Sequence, residues 1–186
     1  MAVPELIATR RLRLEPFEER HLTARYVGWL NDPQVVRFSG QRHRRHTLES
    51  CRRYWDSFAG TADRLWAIVA PELGHVGNAS AHVREAHGTA DVGLLLGERG
   101  AWNQGLGTEA WLGVCDHLFR VAGLRKVTGG ALASNLPMLR VMQKAGMVED
   151  GRRTAHEVWE ERPVDVVHYA LFREEWLRRD PASARA

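Results

Sequence analysis

The chain has 186 residues, 44% of them hydrophobic and 26% charged, which is ordinary globular usage and enough for one domain with a full core. Its net charge of +3 and pI of about 9.2 suit an anionic small ligand as well as nucleic acid. Cys51 and Cys115 form no CxxC pair, the first residues hold no signal-peptide run, and no stretch nears the roughly 20 apolar residues of a membrane span, so a single cytoplasmic α+β (mixed-sheet α/β) domain over residues 1–186 is expected.

Residues 9–15 alternate polar and apolar and predict a first strand. Leu22, Tyr26, Val27 and Leu30 have helical spacing over 18–30, and Asn31-Asp32-Pro33 stops that helix. A basic loop, residues 40–46, precedes a second helix over 47–59 capped by Thr47. Strands follow at 65–70, 74–84 and 90–97, the last two forming a hairpin through His87-Gly88. An amphipathic helix spans 108–122, with Trp111, Val114, Leu118 and Ala122 as its stripe. A strand at 126–132, a helix at 136–144 stopped by Gly146, a strand pair at 148–158 and 164–172, and a short frayed helix complete the chain. No repeat or linker interrupts it.

The stretch from Val92 to Ala110 runs from apolar strand through a glycine-bearing loop into a helix. Such a loop leaves N–H groups open at a helix N-terminus, where the helix dipole favours an anion. Gly100 and Gly105 have P-loop spacing, but Leu106 and Gly107 stand where Lys and Ser/Thr are needed. Gly105, Gly107 and Ala110 fit a dinucleotide fingerprint formally. The strand ends too early for it, and residues 125–131 hold no acid for a ribose. A tight strand–helix turn without ligand is the structural alternative.

Trp102-Asn103-Gln104-Gly105-Leu106-Gly107 resembles the Arg/Gln-x-x-Gly-x-Gly/Ala pyrophosphate loop of the Gcn5-related N-acetyltransferases (GNAT), with Trp102 in the first place. With Thr108-Glu109-Ala110 it looks like the Rim-type branch that acetylates ribosomal-protein N-termini. Asn135 followed by Lys144-Ala145-Gly146-Met147, the segment Arg10–Leu14 and Trp29-Leu30-Asn31-Asp32-Pro33 extend the resemblance in order over nearly the whole chain. Met138 and Met147 depart from the frequent Ser and Phe. The resemblance implies a mostly antiparallel sheet, splayed between the strand ending at Gly97 and the strand 126–132, with CoA in the gap.

It also implies acetyl transfer from acetyl-CoA to a primary amine by direct attack on the thioester, with acetyl-CoA as co-substrate and no metal. The scattered histidines, none in an HxxxH pair, agree with the last point. Leu94, Leu95 and Leu96 are expected to meet the pantetheine arm through backbone, and the N–H of Leu95 to stabilise the oxyanion. Trp102, Asn103, Gln104, Gly105, Leu106, Gly107 and Thr108 are expected at the pyrophosphate. Asn135 reads as a cofactor contact, a helix cap, or both.

A family base lies fourteen residues before the first loop glycine, which here is Asp91. Glu98 is the second candidate and His82, on the partner strand, the third. The positions of a family Tyr and a family Glu hold Met142 and Gly130, leaving Ser134, Tyr169 or water to protonate the thiolate. Tyr26, Trp29, Asn31, His82, the loop 42–46 and the strand pair 159–168 are expected to face the acceptor. That acceptor is a small-molecule or protein amine: a protein α-amine or, as the alternative, an amino sugar or nucleotide-linked amino sugar. From other classes, a non-catalytic CoA-binding module or an RNA-binding module stays open. One basic cluster at this net charge is thin support for nucleic acid, no membrane partner is expected, and a homodimer is compatible with the sequence.

Overall fold

The computed structural model describes residues 5–179; the ends of the 1–186 span assigned to one domain lie outside the described residues. The elements are β1 (Ile7–Ala8), β2 (Arg13–Pro16), α1 (Ala24–Asn31), α2 (Leu48–Asp56), β3 (Arg64–Ala70), β4 (Gly74–Arg84), β5 (Thr89–Leu96), α3 (Leu106–Arg120), β6 (Lys126–Leu132), α4 (Leu136–Lys144), β7 (Val148–Trp159), β8 (Arg162–Phe172) and α5 (Arg173–Arg178). One eight-stranded sheet has the order β1-β2-β3-β4-β5-β6-β8-β7. Every neighbouring pair is antiparallel except β5 and β6, which α3 links as a parallel crossover. The fold is the expected α+β fold with a mixed, mostly antiparallel sheet.

Period-two alternation gives each strand two faces, and two apolar clusters use them. The larger joins Val92, Leu94 and Leu96 of β5 to Trp111, Val114 and Leu118 of α3 and Met142 of α4. On the other face Phe17, Tyr26, Trp29, Cys51 and Leu65 form a second cluster that Leu95 joins. The helices α1 and α2 therefore cover one face, and α3 and α4 the other.

Several boundaries depart from the sequence expectations. The strand expected at 9–15 is broken by a turn, in which Thr9 N–H donates to the Leu12 carbonyl at 2.9 Å. Glu109 of α3 holds that turn by accepting from Thr9 Oγ1 and from Arg11 N–H, at 2.7 and 2.6 Å. The helix expected at 18–30 begins only at Ala24, because Thr23 Oγ1 caps it by accepting from Tyr26 N–H. Residues 85–87 form one 3-10 turn, and Gly88 takes φ +58°, a left-handed value glycine adopts freely. Glu160 and Glu161 close the last hairpin at φ +48° and +61°, a two-residue turn with no glycine or asparagine to announce it. The last helix is tied down, since Trp176 is buried and its indole N–H donates to Asp116 Oδ1 at 2.8 Å.

Candidate active site

β5 and β6 pair only from Thr89–Asp91 to Lys126–Thr128. Beyond that point β5 runs on to Leu96 and β6 to Leu132 without touching, and a V-shaped gap opens between them. The peptide groups that β5 turns into this gap follow from alternation. The Gly88 carbonyl accepts from Arg125 N–H at 2.8 Å, so residue 88 and every second residue after it face the β6 side. Gly97 N–H donates to Val76 O of β4 at 2.9 Å, so the odd residues face β4. Val92 and Leu94, and Leu96 through its N–H, therefore present peptide groups to the gap, an open edge suited to an extended amide-bearing ligand. Leu95 does not. Its peptide faces Asn78, its partner on β4, and its side chain packs into the second cluster. Leu95 N–H, expected to stabilise the oxyanion, therefore points away from the gap, and Leu94 N–H points into it.

The loop after β5 ends in an uncapped helix. Asn103 and Gly105 both take left-handed backbone, φ +58° and +78°, and curl the chain into the first turn of α3. Gly105 is the N-cap and offers no side-chain acceptor, so the first-turn N–H groups of Leu106, Gly107 and Thr108 have no side-chain cap. Gly107 lies where a Cβ would stand 3.3 Å from Leu96 Cδ1, which lets α3 start close against β5. Two side chains of the expected loop have partners within the protein. The Trp102 indole donates to the Leu96 carbonyl at 2.9 Å, and Gln104 Nε2 donates to Gly100 O at 2.6 Å. Asn135 Oδ1 caps α4 by accepting from Met138 N–H at 3.2 Å.

Sequence reasoning did not single out Arg11 as a site residue. Its Nε donates to Glu109 Oε2 at 2.7 Å and its Nη1 to the Gln104 carbonyl at 2.9 Å, while Nη2 stands 3.5 Å from where a Gly105 Cβ would be. A cation thus sits beside the open helix N-terminus. An uncapped first turn, a glycine cradle and a fixed guanidinium fit a pyrophosphate.

Asp91 lies where β5 and β6 part. Its side chain shares a face with Leu95, on the α1–α2 side and away from α3. Thr128 Oγ1 of β6 donates to Asp91 Oδ1 at 2.7 Å. An open cleft of about 740 Å³ includes Asp91, Thr128, His82, Asp63 and His168 in its lining. His82 is the Cα partner of Asp91, but its Nδ1 pairs with Asp63 Oδ2 at 2.7 Å and its ring lies on Phe58. The His168 ring covers Gly130, where a Cβ would come within 3.0 Å of Nδ1, so it fills the room a larger side chain at 130 would need.

The other expected site residues have different work. Glu98 accepts from Arg25 Nη2 at 2.5 Å and from Gly100 N–H at 3.2 Å, and these bonds hold its carboxyl below the usual carboxylate range. That makes it a weak base and a fixed part of the loop. Tyr26 and Trp29, expected at the acceptor, are 3% and 7% exposed core residues. Trp29 lies on Gly97 so closely that a Cβ there would meet its ring at 2.0 Å. Burial pushes the Tyr26 phenol far upward. Asn31 spends its amide on the loop, donating to Val27 O and His46 O and accepting from His46 N–H. Tyr169 is buried and accepts from Gln143 Nε2 at 3.3 Å, whereas Ser134 Oγ is buried without a partner. Among the described residues no cluster of His, Cys, Asp and Glu could hold a metal, and no helix is long and apolar enough to cross a membrane.

Comparison with known proteins agrees with this geometry. The profile of the acetyltransferase (GNAT) domain matches residues 11–148. The uncharacterized N-acetyltransferase YnaD of Bacillus subtilis is 24% identical over 176 residues, which are 91% of this chain and 98% of that protein. A spermidine N-acetyltransferase from Vibrio cholerae, solved with CoA and spermine, superposes with a TM-score of 0.82 at 14% identity, over 90% of this chain and 99% of that one. The ribosomal L7/L12 α-N-protein acetyltransferase RimL, solved with CoA, gives 0.79 at 16% identity, over 90% and 98%. The splayed sheet, the open β5 edge and the anion-ready start of α3 are thus the parts of an acetyl-CoA-dependent N-acetyltransferase, and the chain belongs to the GNAT superfamily.

Proposed function

We propose that the protein acetylates a primary amine that enters from the α1–α2 face, with an α-amine as the preferred acceptor. The observation that carries this reading is the placement of Asp91 at the point where β5 and β6 separate, on the face opposite α3. Bound acetyl-CoA supplies the activated acyl carbon; the chain's own residues supply position and proton handling. Leu94 N–H is aimed into the gap, where it can donate to the acyl oxygen as that atom gains charge. Asp91, oriented by Thr128, takes the amine proton directly or through one water. A carboxylate is a modest base, and an α-amine, with a pKa of about 7.7–8.0 against about 10.4 for lysine, needs the least help. The departing thiolate takes its proton from water or from a nearby hydroxyl; Tyr169 accepts from Gln143 and keeps its own O–H free to donate, whereas Ser134 Oγ has no partner to resupply it among the described residues.

A small-molecule amino sugar or nucleotide-linked amino sugar is the second reading, and a cleft lined by Arg37, Arg42, Arg44 and Arg45 between the end of α1 and the β7–β8 hairpin favours it. The test is an acetylation screen with labelled acetyl-CoA over N-terminal peptides, lysine peptides, polyamines, amino sugars and nucleotide amino sugars. Transfer to an α-amine or an amino sugar is the expected result. Transfer only to hydroxyls, or CoA binding with no transfer to any acceptor, overturns the reading.

A further inference from the structure

The basic loop expected to face the acceptor is built into a second cleft. About 480 Å³ of space opens between the end of α1, the segment 36–45 and the tip of the β7–β8 hairpin. Arg37, Arg42, His43, Arg44, Arg45 and Trp159 contribute to its wall. Two of the arginines hold the hairpin in place. Arg37 pairs with Glu160 at 2.8 Å and stacks 5.0 Å from the Trp159 ring centre, while the Trp159 indole donates to the Arg37 carbonyl at 3.1 Å. Arg42 donates to the carbonyls of Ser39 and Val158 at 2.8 and 2.9 Å.

Arg44 and Arg45 do neither. Both line the cleft, and among the described residues neither guanidinium has a hydrogen-bond or ion-pair partner, although the Arg44 backbone N–H donates to Gln41 O at 3.0 Å. Their backbone is nonetheless fixed, because Asn31 both donates to and accepts from the peptide of His46 at 2.9 Å. Two adjacent guanidinium groups on a held loop, beside a pinned indole, make a preformed site for a carboxylate or phosphate. The elements that wall the cleft also touch the segment after β5. Trp29, two residues before Asn31, rests on Gly97 just past β5, and Gln34 accepts from Arg99 in the loop that leads to α3.

We propose that this cleft binds an anionic group carried by the acceptor itself, with Arg44 and Arg45 as its ligands and Trp159 as its wall. The proposal rests on the acetyl-transfer reading above and narrows its substrate class to amines bearing a nearby carboxylate or phosphate. Its test uses matched pairs of acceptors with the intact protein and acetyl-CoA. One pair is an N-terminal peptide with Glu at its second to fourth positions against the same peptide with Gln. The other is an amino sugar phosphate against the free amino sugar. The anionic member of at least one pair should show a kcat/KM higher by about 10- to 100-fold, the range of charge-assisted hydrogen bonds. The pair that responds tells carboxylate from phosphate.

R44E/R45E should erase that preference and leave the neutral acceptor and CoA affinity unchanged. Rescue of discrimination by R44K/R45K would be partial, since Lys keeps the charge but not the fork. Equal kcat/KM within both pairs, or equal loss on anionic and neutral acceptors, overturns the proposal. Calorimetry of the N-acetylated anionic products with CoA-loaded protein separates the two readings. Binding that R44E/R45E abolishes, with no acetyl transfer to any acceptor, would keep the anion site and end the transferase assignment.

Discussion

The base role proposed for Asp91 can be tested through its immediate contacts. Asn at this position keeps an oxygen to accept from Thr128, so Asp91→Asn should fold normally and lose only the base. Its kcat should fall by about 10²–10⁴, the usual range for a general base, with CoA affinity unchanged. The deficit should narrow as pH rises and the free amine becomes neutral; a pH–rate profile that runs parallel to wild type would exclude a base. Glu98→Gln should leave that profile's shape alone, because its carboxylate already belongs to Arg25 and Gly100. Gly105→Ala tests the cradle. At φ +78° any side chain is strained by about 1–2 kcal/mol, and the new methyl enters the space beside Arg11, so CoA affinity measured by calorimetry should fall. The loop glycines were legible in the sequence through motif spacing, and the position proposed for the base followed from the family resemblance. Leu94 was not distinguished from Leu95, because the side to which a strand peptide turns depends on its pairing.

Two contacts between elements set the site's dimensions. α1 docks on β5 through Trp29 lying over Gly97, a contact that tolerates no side chain. Gly97→Ala should force α1 outward, costing more than the roughly 1–3 kcal/mol of ordinary overpacking, and the α1-proximal acceptor cleft should lose definition first. Denaturant melts of this variant against Gly28→Ala make the comparison, since nothing lies within 4 Å of a Cβ at Gly28. The N-terminal turn docks on α3 through Glu109. Burial raises the pKa of this carboxyl, but hydrogen bonds from the Thr9 hydroxyl and from the side chain and backbone of Arg11 outweigh it, and the net shift is downward. Glu109→Gln should cost about 1–3 kcal/mol and loosen Arg11 from the loop, weakening CoA binding as well. Because the folded carboxyl is the stronger acid, its stabilisation is complete above the unfolded value near 4.5 and fades as pH falls through the folded value. The variant should therefore show a shallower loss of stability in that acid window.

Over the whole molecule, three half-buried or buried histidines govern behaviour at milder pH. His21, His75 and His117 all have pKa values lowered chiefly by burial, and the rings of His21 and His75 stand 5.3 Å apart. Below the unfolded value of 6.5 the unfolded chain binds more protons at these positions than the folded one. Stability should therefore be flat above about pH 7 and decline as pH falls from 6.5 toward 5. Urea melts across that range check the sign, and His75→Gln should reduce the slope.

The sequence by itself determined the element types, the bounds of several strands and helices, and the family. Hydrophobic period marks 74–84, 126–132 and 136–144 without ambiguity, and a glycine loop before an amphipathic helix needs only spacing to be seen. The family resemblance carried by those motifs also implied the co-substrate and pointed to Asp91 as the base proposed here. The tertiary structure alone decided which face each side chain serves. Tyr26 and Trp29 look like ligand aromatics in one dimension and are core in three. Glu98 looks like a free carboxylate until Arg25, far away in the chain, closes on it. Arg11 reaches the loop across a similar distance. The basic segment 42–45 is only a charge run in sequence until the β7–β8 hairpin tip lands beside it, takes up Arg42 and leaves Arg44 and Arg45 in a cleft, their guanidinium groups unpaired among the described residues. The physical reason is common to all four: local sequence sets backbone propensity and period, whereas burial and ion pairing are set by residues that only the folded sheet brings together.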